Sequence, residues 1–170
     1  MITTSPPTSG GGETALLVEY EVLTDGVTSI DFTGLDINTH KRYRVELELD
    51  PIGGGAYGCY VNGDTVASNY YTQIMTSYST TLTQAYYQNN YMSFITANEK
   101  CINIADIFLF KGQYQSNTKG NSKEGNLAQN LIFSSCSGVT VHTNITQLTF
   151  IPNFAEGFRA GTKIRIYKGN

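Results

Sequence analysis

Between residues 42 and 50 apolar and charged side chains alternate without a break. Tyr43, Val45, Leu47 and Leu49 fall on one side, Arg42, Arg44, Glu46, Glu48 and Asp50 on the other. A period of two over that length predicts a β-strand with one face buried and one in water. The same period marks the end of the chain. Thr146, Leu148 and Phe150 alternate with Ile145, Gln147 and Thr149; Pro152 stops that arm; and residues 162–168 form a second arm with Ile164 and Ile166 facing inward. Gly157 and Gly161 supply the backbone freedom the intervening bend requires, and Phe154 and Phe158 are placed to pin it to a core. The two arms are expected to close the chain as a strand, a turn and a strand.

Further strands follow from the same pattern. Leu16, Val18, Tyr20 and Val22 alternate with Leu17, Glu19, Glu21 and Leu23, Asp25-Gly26 marks a turn, and residues 28–32 form a short second strand. Residues 34–40 read as a polar loop. Residues 57–61 are expected to run into a hairpin at Asn62-Gly63, because a type I′ turn needs positive φ at both central positions. Residues 102–110 are apolar on both faces, as in a central strand. Residues 113–129 are polar and glycine-punctuated, which predicts a surface loop; a strand starts at 131–133, and 139–142 continues toward the last pair of arms. No stretch sustains a 3.6-residue period, so helix is expected to be minor. These elements predict an all-β, antiparallel sandwich of about eight or more strands.

Residues 1–14 contain Pro6-Pro7 and Gly10-Gly11-Gly12 and almost no apolar side chain, too little burial to offset the entropy of ordering. They read as a flexible N-terminal arm, either a plain tail or one that orders against a neighbouring subunit. Residues 15–170 read as one β-sandwich domain, a size that needs no metal or disulfide staple. The chain opens on Met1 and is expected to be a complete small polypeptide.

Only 15% of residues are charged and the net charge is −3, which leaves no basic footprint for nucleic acid or an anionic membrane. No basic-then-apolar leader and no run near the ~20 residues of a membrane span occurs, so a soluble protein made in the cytoplasm is expected. Cys59, Cys101 and Cys136 are far apart and odd in number; they read as free buried thiols, or as one disulfide plus a free thiol. Gly53-Gly54-Gly55 near Asp64 lacks the Lys-Ser or Lys-Thr and the helix of a phosphate cradle. His40 and His142 stand without a triad, and the carboxylates Asp31, Asp36, Asp64, Asp106 and Glu156 are scattered. The sequon Asn144-Ile145-Thr146 matters only in a eukaryotic secretory pathway. The expectation is a non-enzymatic protein with no cofactor and no metal.

The stretch from residue 69 to 91 departs most from an ordinary core pattern. Tyr70, Tyr71, Tyr78, Tyr86, Tyr87 and Tyr91 lie among Thr, Ser, Gln and Asn. Tyrosine offers a large rigid face and a hydroxyl, which suits a partner surface or a sugar ring. Asn69, Tyr70, Tyr71, Gln73, Tyr86, Tyr87, Gln88 and Asn89 are the candidate contact residues. The competing reading is that these tyrosines are half-buried β-formers filling sheet edges and loops in a protein that has no Trp.

Several motifs resemble small, jelly-roll-like β-sandwich structural proteins of tailed bacteriophages. They are the closing segment ITQLTF followed by FRAGTKIRIY, the opening unit TSIDFTGLDINTHKRYRVELEL at 28–49, and Asn62-Gly63-Asp64 followed by Asn69-Tyr70-Tyr71. The resemblance implies a virion protein assembled in the host bacterial cytoplasm, partnered by other capsid or tail proteins. On that reading the chain is a capsid decoration or head-fibre protein, a homo-oligomer such as a trimer, attached through its sandwich and N-terminal arm. The alternative it implies is a tail-fibre or tail-tip domain that recognises a host-surface glycan through the Tyr- and Asn-rich stretch.

Overall fold

The computed structural model describes residues 2–3, 15–49, 55–66, 68–78, 81–89, 91–97, 101–124 and 127–169. The strands are β1 (Ile2–Thr3), β2 (Ala15–Glu21), β3 (Ile30–Thr33), β4 (Arg42–Leu49), β5 (Gly55–Val61), β6 (Tyr70–Tyr78), β7 (Thr81–Asn89), β8 (Met92–Ala97), β9 (Cys101–Phe110), β10 (Gln113–Glu124), β11 (Leu127–Gly138), β12 (Gln147–Pro152) and β13 (Lys163–Lys168). They form two antiparallel sheets, a nine-stranded one in the order β1-β2-β13-β4-β9-β10-β11-β6-β7 and a four-stranded one in the order β3-β12-β5-β8. The all-β antiparallel sandwich read from the sequence is therefore present. Of the expected arm, Ile2 and Thr3 pair with Tyr20 and Glu19, and residues 4–14 lie outside the described residues.

The alternation along β4 is realised residue by residue, with Tyr43, Val45, Leu47 and Leu49 fully inside. They meet Ile164 and Ile166 of β13 and Ala105 and Ile107 of β9 on the same sheet, and Phe32, Leu148, Phe150, Tyr57, Cys59 and Val61 of the opposite sheet. Phe32 and Phe150 stack edge-on at 5.6 Å, and Tyr57 is held between Phe154 and Phe158. Phe154 and Phe158 thus pin the 153–161 bend as expected, with positive φ at Gly157 and Gly161.

Five expectations are corrected by the structure. The two closing arms do not pair with each other: β12 lies between β3 and β5 in the small sheet, β13 between β2 and β4 in the large one. Their apolar faces meet across the core, so the bend carries the chain between layers. Asn62 (φ 52°) and Gly63 (φ 70°) do form a tight turn closed by Asp64 N–H on Val61 C=O at 3.0 Å, yet β5 and β6 also belong to different sheets. The polar segment 34–40 contains a one-turn helix, α1 (Ile37–His40), capped by Asp36, whose Oδ1 accepts from Asn38 N–H. The largest departure is 113–129, read as a loop. Residues 113–124 form β10, hydrogen-bonded to β9 on one side and β11 on the other. Its inward side chains Tyr114, Ser116 and Thr118 are buried, so the alternation is present in burial but not in hydrophobicity. Residues 139–142 do not continue β11, which ends at Gly138; Val139 and Val141 are exposed.

Cys59 and Cys101 are buried and not disulfide-bonded, and the side chain of Cys136 lies outside the described residues. Burial pushes the Cys101 thiol up to about 11 against the smaller opposing effect of the Asn103 amide, which donates to its sulfur at 3.3 Å. Burial likewise pushes the Tyr43 hydroxyl up to about 12 and raises that of Tyr70 further. A folded-state pKa above the unfolded value contributes stability that is complete below the unfolded pKa, near 10 for tyrosine, and is lost as pH climbs through the folded value. Urea midpoints are therefore expected to hold to pH ~9 and to fall steeply between about 10 and 12, Tyr43 alone accounting for about 2 kcal/mol. Tyr43→Phe should flatten that fall; an unchanged slope would show that Tyr43 ionises while folded.

Candidate functional site

β6 and β7 form a hairpin at one end of the nine-stranded sheet, in register Tyr71↔Gln88, Thr72↔Tyr87 and Gln73↔Tyr86. Opposed residues share a face, so Tyr71, Gln73, Tyr86 and Gln88 project from the outer surface of the sheet. The rings of Tyr71 and Tyr86 lie 5.8 Å apart at 32°. The Gln88 amide donates to the Tyr71 hydroxyl at 3.0 Å and to the Ser68 carbonyl at 3.3 Å, which fixes the cluster to the preceding loop. Tyr86 is 64% exposed and Met75, two residues along β6 from Gln73, 40%. This is a neutral surface of phenols and amides.

The other candidate residues serve differently. Tyr70 is fully buried against Tyr114; its hydroxyl accepts from Val61 N–H at 3.1 Å and donates to Asp64 C=O at 2.7 Å. It belongs to the core and offers no face to a ligand, because adjacent residues of a strand must point to opposite sides and Tyr71 takes the outer one. Asn69 holds a loop: its amide donates to Asp64 at 2.8 Å and its carbonyl accepts from Val139 N–H. Tyr87, opposite Thr72, faces the inner side of the sheet and is 48% exposed. Asn89 pairs with Tyr70 in the ladder, and its side chain lies outside the described residues.

Sequence reasoning passed over two features of this end. Met75 and Gln84 oppose one another on the same outer face, and the alternation that carries Tyr71 and Gln73 outward predicts them. The adjoining loops are tied together by Asp64, which accepts from Val66 N–H, the Asn69 amide and the Thr140 hydroxyl, and by Asn62, which accepts from Thr146 and Gln147 N–H. Asp31 and the two histidines are engaged in similar contacts. Asp31 accepts from Thr149 and Gln147, His40 packs on Tyr43, and His142 packs on Tyr114 while meeting the Asn62 amide at 3.3 Å. Among the described residues no group of three or more His, Cys, Asp or Glu could hold a metal ion. No described helix is long and apolar enough to cross a membrane.

The cross-strand ion pairs lie at the opposite end of the outer face, with Asp106 on β9 and Lys119 on β10 between. Arg165 on β13 pairs with Glu19 on β2 and reaches Glu48 on β4 at 3.4 Å, Tyr167 donates to Glu46 at 3.1 Å, and Lys163 faces Glu21 at 3.6 Å. These half-exposed cross-strand pairs are worth little individually but give that end a solvated surface. By contrast β11, β6 and β7 contain no charged residue. A cleft of about 260 Å³ opens between the β2 and β3 edges, lined by Leu17, Val18, Phe32 and Leu35 with Asp31.

No family model matches the chain, and no curated protein matches it. Among solved structures the chain is similar to lectin II from Ulex europaeus, at 8% identity over 91% of this chain and 98% of that one, with a TM-score of 0.17. It is also similar to a lectin UEA-II complexed with galactose, at 8% identity over 86% of this chain and 85% of that one, with a TM-score of 0.13. Likeness at these scores carries no argument about architecture or ligand.

Proposed function

We propose that this protein is a non-enzymatic structural component of a tailed-phage virion, a capsid decoration or head-fibre protein that works by assembly. The observation that carries the assembly half of this reading is the division of the long sheet. One end is solvated by cross-strand ion pairs, while the other presents the neutral Tyr71, Gln73, Met75, Gln84, Tyr86 and Gln88 surface on strands without a charge. A sheet face of this kind suits a protein partner, with aromatic anchors supplying area at low entropic cost. The virion setting is supported by the resemblance of the 28–49 and 145–167 segments.

A second reading has one observation in its favour. Exposed Tyr86 beside a Tyr71 hydroxyl fixed by Gln88 combines a ring face with amide and hydroxyl groups, as recognition of a host-surface glycan needs. One experiment separates the two. Particles purified from the source and complemented with a Tyr71→Ala/Tyr86→Ala/Tyr87→Ala variant are expected to lose the protein, read as occupancy by immunogold labelling of the head. Intact occupancy with lost cell binding and label at the tail would favour the glycan reading. Absence of the wild-type protein from every particle would overturn both.

A further inference from the structure

We infer that a chain of internal water sites runs through the interior of this protein, held by Thr72, Asn103, Ser116 and Thr118 where β8 crosses the long sheet. All four residues are at most 1% exposed. Thr72 Oγ1, Asn103 Oδ1, Ser116 Oγ and Thr118 Oγ1 have no hydrogen-bond partner among the described residues. Left dry, each would forfeit the hydrogen bonds it made to water before folding, whereas native interiors pair nearly all such groups.

The ladder places the four oxygens in one row. Ser116 and Thr118 are two apart on β10 and share its inner face. Thr118 is paired with Ala105 on β9, and Gly120, the next inner position of β10, with Asn103. On the other side Ser116 is paired with Cys136 on β11, and Cys136 with Thr72 on β6. β8 of the small sheet packs across β6, β9, β10 and β11. The row is therefore enclosed between the layers.

Spacing and chemistry select water as the occupant. Strands lie about 4.8 Å apart and same-face neighbours along a strand about 6.8 Å apart. Short side chains on that lattice leave their oxygens too far apart to bond directly, while one water with two bonds of about 2.8 Å spans the gap. Thr72, two strands or about 10 Å from Ser116, takes a second water in line. The Asn103 amide donates to Cys101 Sγ at 3.3 Å, which leaves its carbonyl oxygen for the row. No member of the row is charged, so it suits a small neutral molecule that both donates and accepts, and not an ion. Hydrated inner positions also account for the missing hydrophobic period of residues 113–124.

This inference is independent of the virion reading and is tested on the isolated full-length chain. A high-resolution crystal structure is expected to show ordered water within about 3.2 Å of Ser116 Oγ and Thr118 Oγ1, continuing to Asn103 Oδ1 and Thr72 Oγ1. Direct bonds from these oxygens to side chains of β8 or β11, or a row dry at Ser116 and Thr118, would overturn it. Ser116→Ala and Thr118→Val supply a second readout whose sign is decisive. Removing a hydroxyl that holds water should lower the melting temperature by about 2–4 °C in each variant. Removing an orphaned hydroxyl from a dry core should raise it, and a rise in either variant would sink the inference. The double variant should lose less than the sum of the two, because the pair shares a water. Losses that add in full would place the hydroxyls on separate sites and overturn the chain.

Discussion

Tyr70→Ala is expected to destabilise the protein by about 3–5 kcal/mol, the cost of emptying a fully buried aromatic site. The ring is at 0% exposure, 5.3 Å from Tyr114, where the hairpin that carries the candidate surface meets the loop after β5. Tyr70→Phe keeps the ring and removes only the hydroxyl. It strands Val61 N–H and the Asp64 carbonyl, whose desolvation costs about 1–3 kcal/mol. The pair of variants therefore splits packing from hydrogen bonding. Urea unfolding with an unchanged m value checks both numbers, and a Tyr70→Ala loss under 1 kcal/mol would show that the hairpin is not tied to the core through this residue. By contrast, alanine at Tyr86, on the same hairpin but exposed, should leave stability within about 0.5 kcal/mol.

Gly138→Ala is the second large effect, expected at about 3 kcal/mol, the upper end for overpacking. A methyl group there would lie 2.1 Å from Cε1 and 2.4 Å from Cζ of Tyr114. That ring covers the glycine across the β10–β11 ladder and is itself fully buried between Tyr70 and His142, so it has nowhere to go. Gly58→Ala makes an instructive comparison. The added methyl would come within 2.3 Å of Tyr91 Cδ2, but Tyr91 is only half-buried and can swing out at the cost of its hydrogen bond from the Asn153 amide. About 1 kcal/mol is expected there. Equal losses for the two variants in thermal or urea melts would contradict the argument that freedom of the covering ring decides the cost.

How far the candidate surface was legible follows from the same distinction between pattern and placement. That Tyr70 and Tyr71 point to opposite sides is a property of any strand, as is the grouping of Tyr71 with Gln73. Which of the two faces is buried is not, because neither side of 69–91 is more apolar than the other. Tyr70 and Thr72 are buried, while Tyr87, opposite Thr72 on the same face, is 48% exposed. Asn69 was eligible by residue type as a contact, but its amide is taken by Asp64, a partner only the turned loop brings near.

The chain's own pattern determined that residues 42–49 and 163–168 are strands and which of their side chains enter a core, since an unbroken apolar alternation has one low-energy solution in water. It also determined that the protein is all-β, because no helical period competes. Tertiary structure alone decided that 113–124 is an interior strand of the long sheet. Neutral Ser, Thr, Asn and Gln carry no hydrophobic period, and β10 is held by backbone ladders to β9 and β11. It decided too that the two closing arms lie in opposite layers. Alternation selects the face a strand buries, but its neighbours in the sheet are chosen by which backbones can reach unpaired hydrogen-bonding groups once the core has formed.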